Sequence, residues 1–204
     1  CTNAIDITEL AISTPAAVTP GGPYAICSSD IANVEVTTTP NSGTWIGGIG
    51  SFGDPTNPTT TYTPDPSESG TTVVLIWTSD DPDGIGPCPP ATAEVEVNVL
   101  DEAIADTQGP YTTCDVSPVN LNAVTNGNGT WTGGIGSFGD PTDPSTTYTP
   151  DPSEVGTTID LTWETFDPDN DGPCTNAIDI TELIISTPAT ATPSGPYTIC
   201  SSDV

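Results

Sequence analysis

The chain has 204 residues and contains no Lys, Arg or His against 28 Asp and Glu, so its formal net charge at pH 7 is −28. Binding to nucleic acid requires cations that displace phosphate counterions, and anionic membranes repel carboxylates, so this composition excludes both partners. It also excludes Ser-His-Asp and Cys-His catalysis and Lys nucleophiles, and it leaves only a carboxylate pair of the glycosidase kind.

The acidic composition also predicts where the protein works. Mutual repulsion between carboxylates destabilises a compact fold at low salt, and salt or bound divalent cations relieve this repulsion. We therefore expect an extracellular, cell-surface location in a salty medium that contains calcium. A disordered acidic coil is disfavoured, because 33% of the residues are hydrophobic and the four Trp recur at fixed repeat positions. No apolar run approaches about 18 residues, so we expect no direct membrane insertion.

The sequence repeats itself with a short and a long period. GTWIGGIGSFGDP at residues 43–55 returns 86 residues later as GTWTGGIGSFGDP at residues 129–141. The opening CTNAIDITEL returns 173 residues later, at residues 174–183, and a different segment, CPPATAEVEVNVL, fills the corresponding slot at residues 88–100. These offsets predict an alternating A-B-A-B array, in which each short period is one small domain.

Alternation of apolar and polar residues predicts strands in both repeats. In chain order the predicted strands cover residues 32–39, 71–79, 92–100, 119–125 and 157–165. In two of them the apolar face supplies the candidate core residues Val73, Leu75, Trp77, Ile159, Leu161 and Trp163. Clusters of Pro, Gly, Asp, Asn and Ser separate the strands and leave no uninterrupted helical stretch. The sequence therefore predicts an all-β chain of sandwich domains.

The repeat offsets and the strand positions predict the domain boundaries. Residues 16–102 and 103–187 are two sandwich repeats of an extended array, residues 1–15 hold the last strand of a preceding repeat, and residues 188–204 hold the first strand of a following one. Alone, the two outer strands would have unsatisfied edges. Neighbouring repeats of the same chain would pair with them in a full array, and identical chains would receive them as donated strands in a fibre.

The segment SFGDPTNPTTTYTPDPSESGTTVVLIWTSDDPDG, residues 51–84, resembles the pattern of polycystic-kidney-disease (PKD) domains, with Phe-Gly-Asp, a Thr-Tyr-Thr segment and a strand that ends in an Asp-rich turn. Together with the GPYxxC, GTWxGG and GPC landmarks, it is similar to tandem PKD/Ig-like repeats of giant surface proteins from gliding marine Bacteroidetes. This resemblance implies immunoglobulin-like sandwiches in a non-enzymatic extracellular spacer or adhesive module. The chain departs from the PKD pattern because an extra turn, GGIGS, separates Trp45 from Phe52.

Two acidic loops are candidate calcium sites. FDPDNDGPC, residues 166–174, places three Asp at alternate positions before a Gly, and alternate carboxylates in a tight turn suit a hard cation. The equivalent loop SDDPDGIGPC, residues 79–88, has a weaker version of this spacing. The candidate ligands are Asp167, Asp169, Asp171, Asp80, Asp81 and Asp83. The alternative is a solvated acidic turn, for which Asp, Pro and Gly are ordinary residues.

The six cysteines form two series with the repeat spacing, which are Cys1, Cys88, Cys174 and Cys27, Cys114, Cys200. In an acidic extracellular chain without His or a C-x-x-C pair, disulfides are favoured over zinc. Spacing alone leaves the connectivity open. We favour pairing within a repeat, Cys27–Cys88 and Cys114–Cys174, with Cys1 and Cys200 paired into flanking repeats. The alternative joins Cys27 to Cys174 in the loop of the following repeat.

The repetition also bears on function. A near-identical motif at a fixed offset serves reach and valency better than a single active site, so we expect no enzyme. The sequence predicts a structural module of a long extracellular filament or adhesin shaft that projects a distal tip. The alternative is that the repeats themselves bind a glycan or a surface by multivalency. Trp45 and Trp131 are candidates for such ligand contact, because their Gly and Thr neighbours predict partial exposure.

Overall fold

The computed structural model describes residues 12–192 and 194–195, and these residues form two compact units. The first unit contains the described residues up to Ala103 and also Asp167–Asn176. The second contains Ile104–Phe166 and the described residues from Ala177 onward. The division after Ala103 lies next to the expected repeat boundary. In contrast, the repeat spacing assigns residues 167–176 to the second repeat, whereas their contacts assign them to the first unit.

The first unit is a sandwich of two four-stranded sheets. Its strands are β1 (Ala17–Pro20), β2 (Tyr24–Cys27), β3 (Ala32–Thr39), β4 (Gly43–Gly47), β5 (Ser51–Phe52), β6 (Thr59–Thr63), β7 (Thr71–Ser79) and β8 (Thr92–Leu100). One sheet has the strand order β1-β3-β6-β5 and the other has the order β2-β8-β7-β4. The pairs are antiparallel except for β2 with β8, which run parallel. A short 3-10 helix, Pro66–Glu68, precedes β7.

The second unit has the same main sheet and a more divided second layer. Its strands are β9 (Ala105–Asp106), β10 (Tyr111–Cys114), β11 (Val119–Asn120), β12 (Val124–Thr125), β13 (Gly129–Gly133), β14 (Ser137–Phe138), β15 (Thr147–Thr149), β16 (Thr158–Thr165) and β17 (Ile178–Ser186). The main sheet has the order β10-β17-β16-β13, and the rest pair as β11-β15-β14 and β12-β9. A 3-10 helix, Pro152–Glu154, precedes β16.

The core of the first unit follows from the period of two along its long strands. Successive side chains of a strand point to opposite faces, so Leu75, Trp77 and Val97 are fully buried while Glu96 is exposed. Trp45 lies opposite Trp77 in the pairing of β4 with β7, and their ring centroids are 5.4 Å apart in an edge arrangement. Such aromatic pairs stabilise a core beyond their buried area.

The second unit repeats this core at the same offset. Trp131 lies opposite Trp163, with ring centroids 5.6 Å apart, and Leu161 is fully buried beside them. Ile159 is half-buried and packs against the same cluster, whereas its counterpart Val73 in the first unit is only 6% exposed.

The predicted strand at residues 119–125 is interrupted in the structure. Only β11 and β12 are regular there, and they belong to different sheets. Between them, the backbone N–H of Asn122 donates to the hydroxyl of Tyr111 at 3.0 Å instead of to a neighbouring strand. Asn also fits a pleated, half-buried surface poorly. The hydrophobic alternation therefore overstated the length of this strand.

The expected outer strands lie largely outside the described residues, as do Cys1 and Cys200. The described parts of these segments, residues 12–15, 188–192 and 194–195, contain no strand. Across the described ranges, no helix is long and apolar enough to cross a membrane.

Candidate functional site

The acidic loop at residues 79–88 is closed by its own backbone. Oδ1 of Asp81 accepts hydrogen bonds from the N–H groups of Asp83 at 3.0 Å and Gly84 at 2.8 Å, and Oδ2 of Asp83 accepts one from the N–H of Cys88 at 3.2 Å. Desolvation raises the pKa of Asp83, but hydrogen bonds, first among them that from Cys88, outweigh it and hold the pKa below its ordinary value. Asp80 is exposed. These turns account for Asp at two of the three candidate positions.

The loop at residues 166–174 has two of these three internal bonds. Oδ1 of Asp167 accepts from the N–H of Asp169 at 3.1 Å, and Oδ2 of Asp169 accepts from the N–H of Cys174 at 3.0 Å, while Asp171 is exposed. Among the residues that the structure describes, no group of three or more His, Cys, Asp and Glu side chains converges as a metal site. The second oxygen of Asp169, Oδ1, is buried without a hydrogen-bond partner in the described chain, as is Oδ1 of Asp83. The carboxylates form no ready cation cage, and calcium stays a prediction.

The cysteines pair differently from the favoured connectivity. Cys27 is bonded to Cys174, while Cys88 and Cys114 are free thiols. The within-repeat pairs Cys27–Cys88 and Cys114–Cys174 are therefore wrong, and the alternative is the pair that forms. The parallel pairing of β2 with β8 explains this result, because it puts Cys27 opposite Leu100 at the end of β8, whereas Cys88 precedes the start of that strand. A strand of this length separates its ends by about 3.3 Å per residue, beyond the reach of a disulfide.

The thiol of Cys88 lies in an acidic, half-buried place. Burial raises its pKa, and the negative charge of Asp83 raises it further. The group is therefore a protonated, slowly reacting thiol at neutral pH.

Trp45 and Trp131 are core residues and offer no surface to a ligand. Their side chains are 2% and 1% exposed, and their indole N–H groups donate to the carbonyls of Asn57 at 2.9 Å and Pro144 at 3.2 Å. The expected partial exposure is wrong. Gly neighbours carry no side chain that could reveal the alternation of β4, so the inward direction of Trp45 was hidden in the sequence.

Sequence reasoning missed a buried carboxylate in the first unit. Glu68 is 7% exposed, and its Oε1 and Oε2 lie 2.9 and 2.8 Å from the hydroxyl of Tyr62. Its oxygens also accept the backbone N–H groups of Ile49 at 2.9 Å and Asp65 at 2.8 Å. Because the chain contains no cationic side chain, hydrogen bonds alone compensate the cost of burying this carboxylate.

The second unit contains the same cluster. Glu154 is 5% exposed, and it accepts from the hydroxyl of Tyr148 at 2.9 Å and from the N–H groups of Ile135 at 2.7 Å and Asp151 at 2.8 Å. Two signals in the sequence mark both clusters: a Tyr six residues before a Glu, and a capping box in which Asp and Glu flank Pro-Ser.

The GGIGS turn, which departs from the PKD pattern, closes this cluster. Gly48 has a φ of 63°, and a Cβ at this position would collide with the hydroxyl of Tyr62. The next two residues supply donors, because the N–H of Ile49 bonds to Glu68 and the N–H of Gly50 bonds to the Tyr62 hydroxyl at 3.0 Å. The extra turn thus closes the buried cluster of each repeat through its backbone N–H groups, while its own side chains are exposed.

Surface grooves give no sign of a sugar site. Two grooves of about 310 Å³ occupy similar places beside the GPY segments, one in each unit. One is lined by Pro20, Gly21, Gly22, Pro23, Glu94 and Glu96, and the other by residues 106–110 and 179–182. Both present backbone and carboxylates, and neither presents an aromatic ring on which a sugar could stack.

Comparisons with known proteins bear on the fold. No protein-family model matches the sequence, and no curated protein matches it. Among solved structures, the insect immune protein hemolin matches with a TM-score of 0.52 at 9% identity, over 83% of this chain and 46% of the hemolin chain. The fold is immunoglobulin-like. The chain spans about half the length of the hemolin chain. At 9% identity, the similarity concerns the fold alone.

Two further solved structures have lower TM-scores than hemolin. An I-band fragment of titin has a TM-score of 0.45 at 11% identity, over 87% of this chain and 68% of that one. Immunoglobulin domains 1–4 of Sidekick-1 have a TM-score of 0.47 at 12% identity, over 87% and 50%.

Proposed function

We propose that this chain is a structural repeat module of a long extracellular filament or adhesin shaft that projects a distal tip from a cell surface. The observation that carries the proposal is the recurrence of the main interior features. Each sequence repeat contains the same tryptophan pair, the same buried tyrosine–glutamate cluster and a similar hydrogen-bonded acidic loop. Sandwich units that share both surface motifs and core contacts suit an extended array whose length is set by the number of repeats.

The surface chemistry agrees with a spacer in a salty exterior. Outward positions on the long strands carry carboxylates such as Glu94, Glu96 and Glu182, and the chain has no cation to attract them to one another. At low salt, repulsion between these negative surfaces keeps neighbouring shafts apart. At high salt the repulsion is screened, so the shafts can approach each other.

Ligand binding by the repeats themselves has less support. The two tryptophans that were candidates for glycan contact are buried, and the grooves beside the GPY segments lack aromatic walls. A set of near-identical repeats without such a platform favours the shaft over the multivalent binder.

Scattering tests the proposal. Because residues 174–204 nearly repeat residues 1–31, an array can be made by continuing the chain with residues 32–204 after Val204. We expect small-angle X-ray scattering to give a maximum dimension that grows in proportion to the number of repeats. A maximum dimension that stays nearly constant would contradict a shaft. Binding of the same array to a glycan panel would favour the alternative.

A further inference from the structure

The Cys27–Cys174 disulfide depends on a defined place at the end of a strand. Cys27 lies opposite Leu100, the last residue of β8, and the following N–H, that of Ser28, donates to the carbonyl of Leu100 at 2.9 Å. Sγ of Cys174 lies 3.9 Å from the same carbonyl oxygen. The strand end therefore brings the two sulfur atoms together.

The acidic loop that carries Cys88 occupies the same kind of place. Sγ of Cys88 lies 3.9 Å from the carbonyl oxygen of Ser13. Ser13 follows Cys1 by the same twelve positions by which Leu100 follows Cys88, so the two residues are equivalent in the repeat. The Cys88 loop thus approaches Ser13 as the Cys174 loop approaches Leu100, and the two loops share two internal hydrogen bonds.

Cys114 occupies the complementary half of this arrangement in the second unit. It lies opposite Ser186, the last residue of β17, and the following N–H, that of Asp115, donates to the carbonyl of Ser186 at 2.9 Å. Ser186 follows Cys174 by the same twelve positions. Cys114 is exposed, whereas its counterpart Cys27, which the acidic loop covers, is 6% exposed.

We propose that Cys114 forms a disulfide with the acidic-loop cysteine of the following repeat, and that Cys88 forms one with the GPYxxC cysteine of the preceding repeat. The inference rests on the proposed repeat array and adds that the array is covalently laddered. Each bridge forms when two thiols lose two protons and two electrons to a disulfide oxidant of the extracellular space, which is reduced to two thiols.

The ladder has a mechanical consequence. The Cys27–Cys174 bridge spans 147 residues, and the next bridge, which starts at Cys114, starts inside that span. Successive bridges therefore overlap, and tension along the shaft passes through the disulfides and the short segments that connect them, such as residues 88–114, while most of the chain bears none of it. A shaft of this kind resists extension even where single sandwiches are marginally stable.

Disulfide mapping in the array of residues 1–204 followed by residues 32–204 tests the proposal. Replacement of Cys1 and Cys88 by Ser in the first copy, and of Cys114 and Cys200 by Ser in the second, leaves a single Cys114 and a single Cys88. After folding in oxidised glutathione, we expect a Glu-specific protease to release a peptide pair that joins these two cysteines. Maleimide labelling of Cys114 should fall from nearly complete in the 204-residue chain to nearly none in the array.

The matched control carries Ser in place of the remaining Cys88, and its Cys114 should become reactive again. The proposal is overturned if Cys114 stays a thiol while Cys27–Cys174 forms, if it pairs with any other cysteine, or if it links separate chains on a non-reducing gel. Scattering keeps the two proposals apart, because an elongated array with a reduced Cys114 would contradict the ladder and leave the shaft intact.

Discussion

The hydroxyl of Tyr62 lies 2.8 Å from Oε2 of Glu68 in the interior of the first unit, and the chain contains no Lys, Arg or His that could neutralise this carboxylate. The same pair, Tyr148 and Glu154, recurs in the second unit. Each glutamate also joins a 3-10 turn and the GGIGS turn to the core through backbone N–H donors. The cluster is thus a polar centre of an otherwise apolar sandwich, and its energy depends on complete hydrogen bonding.

Replacement of Glu68 by Gln should destabilise the first unit by about 1–3 kcal/mol. The amide has one acceptor oxygen where the carboxylate has two, so an N–H donor in the cluster would face the amide NH₂. The matched control is Glu96→Gln, which removes the same charge from an exposed position of β8 and should change the free energy of unfolding by less than about 0.5 kcal/mol. Urea unfolding followed by tryptophan fluorescence measures both, and equal stabilities would contradict the role of the cluster.

The same tyrosines predict a loss of stability at high pH. Burial, and after it the hydrogen bond to Glu68, raises the pKa of Tyr62 to about 12, and burial likewise raises the pKa of Tyr148 to about 12. The unfolded chain releases these protons near pH 10, whereas the folded chain holds them until about pH 12. The contribution is therefore fully present below about pH 10 and is lost as the pH rises from there through 12, at about 1.4 kcal/mol for each unit of pKa shift.

Urea midpoints at several pH values between about 9 and 12 would show this slope, and absorbance at 295 nm would report tyrosine ionisation directly. Tyr62→Phe should reduce the slope of the first unit. If all tyrosines of the folded protein ionised near pH 10, as they would in urea, the prediction would fail.

The alternation of residues was enough to predict the long strands and part of the core. Trp77 and Trp163 are in phase with apolar residues at alternate positions, Val73 and Leu75 in one strand and Ile159 and Leu161 in the other, so their inward direction could be read directly. Trp45 could not be assigned in this way, because Gly43 and Gly47 flank it and the strand shows no alternation. Its burial is decided by the partner strand, which pairs it with Trp77.

The disulfide could not be predicted for a topological reason. Both candidate connectivities had plausible spacing, and the choice depended on whether β2 runs parallel or antiparallel to β8, which no local pattern encodes. Glu68 was missed because Asp-Pro-Ser-Glu typically forms a solvated turn. A Tyr at a fixed distance before it and the capping box, both present in both repeats, were the signals that indicated another role.

One polar difference between the two cores gives a matched pair of substitutions. The indole N–H of Trp77 donates to Oγ1 of Thr38 at 3.3 Å, whereas that of Trp163 is buried without an acceptor among the described residues. Thr125 is the counterpart of Thr38 in the second unit, and each hydroxyl donates to the carbonyl two residues further along the chain. We expect Thr38→Val to destabilise the first unit by about 0.5–1.5 kcal/mol, because it removes the acceptor of the Trp77 indole.

Thr125→Val is the matched control. It removes the same local hydroxyl bond but takes no acceptor from a tryptophan, so it should destabilise the second unit less than Thr38→Val destabilises the first. Thermal unfolding of the two variants measures the difference, and equal losses of stability would contradict a contribution from the Trp77 bond.

The disulfide should stabilise the first unit, and removing it should lower the free energy of unfolding more than removing a free thiol does. Cys27→Ser removes a bridge across 147 residues and should cost about 2–4 kcal/mol. Cys88→Ser changes a half-buried thiol without a bond and should cost less than about 1 kcal/mol. Reduction with dithiothreitol should lower the urea midpoint of the wild type to that of Cys27→Ser. A larger effect of Cys88→Ser than of Cys27→Ser would contradict the observed pairing.

Salt should stabilise the fold because every ionised side chain carries the same sign. Raising NaCl from about 0.05 to 1 M shortens the screening length from over 10 Å to about 3 Å. We expect the melting temperature to rise on the order of 5 °C, which corresponds to about 1 kcal/mol for a domain of this size.

Calcium chloride at equal ionic strength separates screening of charge from binding of calcium. A saturable further rise that Asp171→Asn abolishes and Asp115→Asn, at another exposed position, preserves would support a calcium site in the loop. Equal melting temperatures in the two salts would leave that loop a solvated acidic turn, whose aspartates serve to bond its own backbone.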